Sequence, residues 1–200
     1  MKRIVLFLSL YIVLIPTLVA RPQKSITATL SLQPSSDITI VVFTNLFSFD
    51  LKHTGNILNE PIDADIVVNT NKAKVAHEPL ALTIKKFKSD NKMAQRDFYK
   101  LLNADVYPEM FLEVEDLTYT QENGVYEGEV LIDITISDIK RGYKIPIEAT
   151  IENNILKAKA KKKLSIRDFN LEPPTALMGM IKVSEWIEIN LDIESIIDIN

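Results

Sequence analysis

Residues 157–170 read KAKAKKKLSIRDFN, and polar and apolar side chains alternate along the first part of this stretch. Residues 185–193 read EWIEINLDI and alternate in the same way. Alternation with a period of two is typical of a β-strand that has one solvent-exposed face and one buried face. These runs therefore predict a β-sheet protein, and the small side chains of Ala158 and Ala160 on the buried face predict open space beside the first strand.

The first 20 residues differ in character from the rest of the chain. Lys2 and Arg3 precede an apolar run at residues 4–15, and residues 16–20 resemble a cleavage region. These are the features of a secretory signal peptide. The apolar run is shorter than the roughly 20 residues of a transmembrane helix, although an uncleaved N-terminal anchor is the alternative. We expect a signal peptide at 1–20, one domain at 21–200, and export to the periplasm.

The composition excludes several classes of protein. Without Lys2 and Arg3, 21 of the 23 basic residues remain against 27 acidic residues, a net charge of −6. This acidic balance argues against nucleic acid as a partner. The chain has no cysteine, so it forms no disulfide and must depend on its hydrophobic core for stability.

Ten segments have the composition and alternation of strands, with turn residues between them. They are residues 26–32, 38–44, 47–52, 62–69, 80–87, 110–119, 126–137, 144–152, 155–166 and 185–193. Asn153-Asn154 is a tight hairpin signal, because asparagine tolerates a positive φ. Consecutive strands joined by short turns predict an antiparallel sheet that closes into a barrel or a sandwich.

One segment has helical spacing instead. Residues 91–102 place their apolar side chains on one face, and Asp90 or Asn91 can cap the first turn. A second short helix is predicted at 175–182, after a proline pair. The expected fold is therefore all-β with a minor helix.

The residues of common catalytic and metal sites are scarce. His53 and His77 are isolated in the sequence, and we expect both at the surface or in turns rather than as metal ligands. No nucleophile motif or glycine-rich phosphate loop is present. Glu113 and Glu115 lie two residues apart on one strand, which predicts a solvent-facing pair rather than a catalytic one. We therefore expect no enzyme activity, no cofactor and no metal.

Four strands carry apolar rows that should face a common interior. The rows are Ile132, Ile134 and Ile136; Ile145, Ile147, Ala149 and Ile151; Leu156, Ala158 and Ala160; and Ile187, Ile189, Leu191 and Ile193. A small barrel is either filled by its own side chains or holds one small apolar ligand. The large aliphatic residues favour a filled core, whereas the alanines favour a cavity.

Lys157, Lys159, Lys161 and Lys163 project from the opposite face of their strand. A row of lysines is typical of a solvated outer face that discourages edge-to-edge aggregation. The alternative is a docking patch for an anionic membrane surface, although the net acidic charge argues against it.

Three segments in order resemble the YceI-like family of exported barrel proteins. The first runs from 36 to 50 and contains Thr44-Asn45-Leu46-Phe47. The second contains Arg96-Asp97-Phe98 and then Tyr107-Pro108. The third contains Arg167-Asp168-Phe169, a proline pair and residues 179–183.

This resemblance implies an antiparallel eight-stranded lipocalin-like barrel with a short helix in a connection. It implies a non-enzymatic protein that binds, stores or transports an apolar amphiphile, such as a polyisoprenoid lipid, in an elongated pocket. The ligand-binding residues expected on this interpretation are Phe98, Leu102, Phe111, Ile134, Ile136, Ile147, Ala149, Ala158, Ala160 and Ile189. A structural or interaction barrel with a filled core is the alternative, and a peripheral membrane contact and a dimer remain open.

Energetics set a minimum size for such a pocket. Burial of one methylene contributes roughly 0.8 kcal/mol, so one isoprene unit contributes about 3–4 kcal/mol. Three units reach roughly 10 kcal/mol before the cost of immobilising the tail, which leaves enough for micromolar affinity. The binding hypothesis therefore requires room for at least three isoprene units.

Overall fold

The computed structural model describes residues 24–58, 60–176 and 180–200, and the expected signal peptide at 1–20 lies outside this range. Within it, the strands are β1 (Lys24–Leu32), β2 (Asp37–Thr44), β3 (Ser48–His53), β4 (Ile62–Asn69), β5 (Lys72–Ala76), β6 (Leu80–Thr83), β7 (Phe87–Lys88), β8 (Glu109–Glu122), β9 (Val125–Ile136), β10 (Ile139–Glu152), β11 (Ile155–Ser165), β12 (Thr175–Ala176) and β13 (Ile181–Ile199). The helix α1 spans Lys92–Leu101, and short 3-10 helices span Ile84–Lys86 and Ile166–Phe169. No helix among these residues is long and apolar enough to cross a bilayer.

Eight strands pair in a closed antiparallel ring. The order is β1-β4-β5-β8-β9-β10-β11-β13, and β1 pairs with β13 to close it. Near one end of the ring, β2 replaces β1 as the partner of β13, β3 pairs with β2, and β6 replaces β5 as the partner of β8. Three neighbouring positions of the ring are therefore each shared by two strands: β1 and β2, β4 and β3, and β5 and β6. The prediction of an all-β fold with an antiparallel eight-stranded, lipocalin-like barrel and a short helix in a connection is confirmed.

The ring is interrupted between β3 and β6. At this end β3 pairs with the short strand β7, through Lys52 with Lys88 and His53 with Phe87. The helix α1 is tied to the same segment, because the Tyr99 hydroxyl donates to the carbonyl of Phe87 at 2.6 Å. One side of the barrel is therefore built from a short strand and a helix rather than from a continuous ladder.

The two ends of the interior are filled differently. The end formed with β2, β3 and α1 contains the large buried side chains, among them Leu51, Ile84 and Phe87. At the end formed with β1, β4 and β5 the fully buried side chains are small: Ala28 and Ala64 are cross-strand partners and both are buried. Because these methyl groups are covered, the opposite sides of the interior must lie close to them.

The helix prediction at 91–102 is confirmed, with Asn91 as the cap. Its side-chain oxygen accepts a hydrogen bond from the amide of Ala94 at 3.0 Å. The prediction of a second helix at 175–182 is wrong at both described ends. Thr175 and Ala176 form β12 and pair with Lys182 and Ile181 of β13, while residues 177–179 lie outside the described residues. Pairing with the long strand β13 stabilises an extended backbone there, which local spacing alone does not reveal.

The short strands between residues 72 and 88 differ from the prediction. β5 has no counterpart among the predicted strands, and the segment predicted as one strand at 80–87 is divided into β6, a 3-10 helix and β7.

The ring of His77 lies at the break between β5 and β6, where its Nε2 accepts a hydrogen bond from the amide of Val114 at 3.0 Å. Its Nδ1 lies 2.6 Å from the carbonyl oxygen of Glu78 and must therefore carry the proton. This neutral ring supplies a bond that the strand ladder lacks at that point.

Candidate ligand-binding cavity

A cavity of about 140 Å³ lies at the end of the barrel that holds the large side chains. Its wall comes mainly from the inward faces of β2, β3, β8, β9 and β13, from the 3-10 segment Ile166–Phe169 and from α1. The deepest side chains include Leu51, Phe87 and Phe169, which are almost completely buried. An apolar ligand in this interior would contact aliphatic and aromatic carbon atoms on every described side.

Polar side chains lie only near the mouth of the cavity, as far as its described lining shows. They are Thr44, Asn91, Asp97 and Thr175. Thr44 ends β2 and its hydroxyl donates to the carbonyl of Phe47 at 2.6 Å, while Asn91 caps α1. The cavity is apolar at depth, and at its entrance these polar groups lie beside exposed apolar side chains such as Phe47 and Met93. This arrangement suits an amphiphile whose tail points inward and whose head group stays at the entrance.

Alternation along β2 builds one side of the wall. Ile38, Ile40 and Val42 are buried and line the cavity, whereas Asp37 and Val41 project from the opposite face. Ile40 pairs with Leu51 on one side and Ile189 on the other, so three strands contribute one continuous apolar row. The signal for these lining residues was present in the sequence as a period of two.

The two Arg-Asp-Phe motifs each place a phenylalanine in the cavity wall. In the second motif, Arg167 pairs with Glu185 at 2.6 Å and with Glu172 at 2.8 Å. Tyr143 donates a hydrogen bond to Asp168 at 2.9 Å. Burial raises the pKa of the Tyr143 hydroxyl, and the hydrogen bond to Asp168 raises it further. The charged residues thus anchor the segment on the outside while Phe169 is held inside.

In the first motif, Phe98 is the aromatic side chain through which α1 contacts the wall. Its ring centroid lies 6.1 Å from that of Phe87, in an edge-on arrangement. No residue of α1 is fully buried. The helix therefore covers the cavity with side chains that remain partly exposed.

His53 was expected at the surface or in a turn, and that prediction is wrong. The side chain lies on the inward face of β3, is 8% exposed, and contacts Phe87 with a ring-centroid distance of 5.1 Å. Neither ring nitrogen has a hydrogen-bond partner within the described structure. Burial lowers the pKa of His53, and Lys86 lowers it further against the opposing effect of Asp37. No cluster of potential metal ligands occurs in the described ranges.

Five of the ten predicted ligand-binding residues lie together in the cavity wall. They are Phe98, Leu102, Ile134, Ile136 and Ile189. The lining residues of β2 and β3, together with Phe87, Leu164 and Phe169, are not among the ten predicted residues, although each carries an apolar signal. The four apolar rows with the longest alternation do not include them.

The other five predicted residues lie elsewhere. Phe111 pairs with Thr135 on the outward face of β8 and is 37% exposed, because Met110 and Leu112 occupy the inward positions. Ala149 and Ala158 are cross-strand partners outside the cavity. The open space expected beside Ala158 is therefore not part of this cavity.

Ile147 and Ala160 line a second, wider hollow of about 870 Å³. This hollow is shallow and includes charged side chains such as Lys159, Lys161 and Asp192. An apolar tail would lie beside charges and solvent there, so the smaller enclosed cavity is the better candidate site despite its volume.

The lysines of β11 face acidic residues of β13. Lys157 lies 4.0 Å from Glu194, Lys159 lies 3.5 Å from Asp192, and Lys161 lies 2.9 Å from Glu188. The Lys163 amine is 5.8 Å from the ring centroid of Trp186. These exposed contacts agree with a solvated outer face and neutralise much of the charge that a membrane-docking patch would need.

The sequence matches a known domain family, and the fold is similar to solved structures. Residues 31–195 match the sequence model of the YceI-like domain family. The fold is similar to the crystal structure of Burkholderia cenocepacia BcnA, with a TM-score of 0.52 and 10% identity over 82% of this chain and 99% of that chain. A Campylobacter jejuni YCEI protein has a TM-score of 0.43 and 16% identity over 70% of this chain and 85% of that chain. No curated protein matches the sequence. Because the family match spans most of its length, this chain belongs to the YceI-like domain family.

Proposed function

We propose that this protein binds an apolar amphiphile, such as a polyisoprenoid lipid, and stores or carries it without chemical change. The observation that carries the proposal is the distribution of polarity in the cavity: apolar at depth, with Thr44, Asn91, Asp97 and Thr175 near the mouth. In this arrangement the tail is buried among carbon atoms and the head group stays near water.

The volume of the cavity sets a condition on this binding. A cavity of about 150 Å³ in another protein holds a benzene molecule, so 140 Å³ corresponds to about one isoprene unit. A tail of three units therefore requires the wall to move outward. We infer that α1 is the section that moves, because it has no fully buried residue, whereas Phe87 of the adjacent β7 is fully buried.

The cavity lacks the arrangement of a catalytic site. Among its described lining residues, Asp97 is the one ionisable group, and no serine, cysteine, lysine or histidine lies beside it. General acid–base or nucleophilic catalysis requires such a partner within hydrogen-bond reach. This supports a binding function over an enzymatic one.

Binding of farnesol, which has three isoprene units, tests the proposal. We expect micromolar affinity by titration calorimetry, and loss of that affinity in Ile189→Phe, which fills the cavity. The matched control is Ile199→Phe, at an exposed position at the other end of β13. Protein that is purified from its host without lipid, and that takes up no prenol of any length, would refute the proposal.

A barrel with a filled core that docks a partner is the second candidate. The specific observation in its favour is the small cavity volume of about 140 Å³. A structure determined after incubation with farnesol separates the two candidates, because binding requires a wider cavity and a displaced α1.

We also infer export to the periplasm, on the basis of residues 1–20. N-terminal sequencing of protein recovered from the periplasmic fraction should begin at Arg21. A protein retained in the cytoplasmic fraction with Met1 in place would contradict this inference.

A further inference from the structure

Four exposed apolar side chains surround the mouth of the cavity. They are Leu46 (69% exposed), Phe47 (44%), Met93 (50%) and Met180 (73%), and we call them the apolar rim. Leu46 and Phe47 lie at the tip of the β2–β3 hairpin, Met93 is in the first turn of α1, and Met180 directly precedes β13. Exposed apolar side chains that cluster in this way mark an interaction surface.

Hydrogen bonds hold the rim in place. The Asn45 side chain donates to the carbonyl of Met180 at 3.1 Å and accepts from the amide of Lys182 at 2.9 Å. The hydroxyl oxygen of Thr44 accepts bonds from the amides of Leu46 and Phe47 at 3.2 and 2.9 Å. The hairpin tip and the start of β13 thus form one platform that presents apolar side chains to solvent.

The rim is continuous with the cavity. Phe47 and Met93 are both exposed and part of the cavity lining. An apolar path therefore leads from the outer surface past these two side chains to Leu51 and Phe87 at depth. A surface that supplied a lipid tail could deliver it along this path without exposing the tail to water.

Basic side chains accompany the rim. Lys92 and Arg96 lie one turn apart on α1 beside Met93, and Lys182 follows Met180; all three are exposed. Arg96 and Lys182 have no ion pair with any residue that the structure describes. Together with the neighbouring Asp90 and Asp97, the chain carries three basic and two acidic side chains in these segments. The lysines of β11, by contrast, face carboxylates.

We propose that the apolar rim docks on the surface of an anionic bilayer. The rim side chains enter the boundary between head groups and acyl chains, and Lys92, Arg96 and Lys182 face the lipid phosphates. A tail then passes directly between bilayer and cavity. This inference rests on the proposed binding function and adds the source of the ligand.

Sedimentation with vesicles tests the docking. Wild-type protein should bind vesicles of phosphatidylcholine and phosphatidylglycerol more tightly than vesicles of phosphatidylcholine alone. The double variant Leu46→Gln, Met180→Gln should partition about tenfold more weakly, and should transfer farnesol from vesicles more slowly. Neither residue lines the cavity, so farnesol affinity in solution should stay unchanged. The control Ile151→Gln, Ile199→Gln removes exposed apolar side chains at the opposite end of the barrel and should bind vesicles like wild type.

The outcomes separate the two proposals. Farnesol binding in solution together with equal vesicle binding by wild type and the rim variant would overturn the docking and leave the binding function intact. Vesicle binding without any farnesol uptake would overturn the binding function and, with it, delivery into the cavity. A concentration-dependent dimer that disappears in the rim variant, with no vesicle binding, would identify the rim as a self-association surface and overturn the membrane proposal.

Discussion

The two ends of this barrel differ in the size of their buried side chains, and the end where these are large contains the cavity. Leu51, Phe87 and Phe169 surround about 140 Å³ of space, whereas Ala28, Ala64 and Ala158 are buried outside that cavity. Small side chains allow the opposite walls to approach, while large ones hold them apart and pack imperfectly across the wider gap. The size of the side chains therefore determines where a cavity forms through the separation of the walls, and small side chains do not by themselves create space.

Removal of a large wall side chain should have the largest effect. Phe87→Ala is expected to lower the free energy of unfolding by about 3–5 kcal/mol, because a fully buried ring is lost and a larger cavity remains. Urea denaturation measures this change. Phe111→Ala removes an outward ring that is 37% exposed and should cost much less; equal losses would contradict the inward and outward assignment of these rings.

Enlargement of a small side chain at the alanine end should have the next largest effect. Ala28→Leu is expected to cost about 1–3 kcal/mol, because the closely spaced walls must move to admit it. The same substitution at the exposed Ala76 of β5 is the control. A variant at position 28 that unfolds at the wild-type urea concentration would reveal hidden space at this end.

A smaller, pH-dependent effect is expected at His53, between the two ends. Burial holds the pKa of His53 below its usual value of 6.5, so the unfolded chain binds the proton more tightly than the native protein does. The corresponding stability is present above pH 6.5 and is lost as the pH falls toward the native pKa.

Thermal melts between pH 8 and pH 5 measure this dependence. The wild-type melting temperature should fall across that range by more than that of His53→Phe, which fills the same space against Phe87 without a titratable ring. The charged groups that act on the ring are Lys86 and Asp37. Parallel profiles of melting temperature against pH for the two proteins would show that His53 does not cause the pH dependence.

The smallest effect should come from the outer surface. Lys161→Ala breaks the 2.9 Å pair with Glu188. This pair also lowers the pKa of the Glu188 carboxyl group, which is partly exposed. A surface pair of this kind contributes about 0.2–1 kcal/mol and weakens with salt. A double-mutant cycle with Glu188→Ala measures the pair, and a coupling that is unchanged at high salt would contradict its solvent exposure.

Local patterns predicted much of the wall. Alternation placed Ile134, Ile136 and Ile189 on an inward face, and helical spacing placed Phe98 on the buried side of α1; all four line the cavity. Phe111 could not be assigned in the same way, because Met110, Phe111 and Leu112 are all apolar and either face is then consistent with burial. The tight turn at Ser137-Asp138, with φ angles of 49° and 62°, carries neither glycine nor asparagine and gave no comparable signal.

The amino-acid sequence by itself determined the strand faces, the capped helix and the motifs that mark the family, because each depends on residues close together in the chain. Only the tertiary structure decided which end of the barrel is hollow and that His53 is buried. His53 pairs with Phe87, and Ala28 with Ala64 and Ile199, across separations of 34, 36 and 171 residues. The distance between walls follows from such long-range pairings, and local alternation contains no information about it.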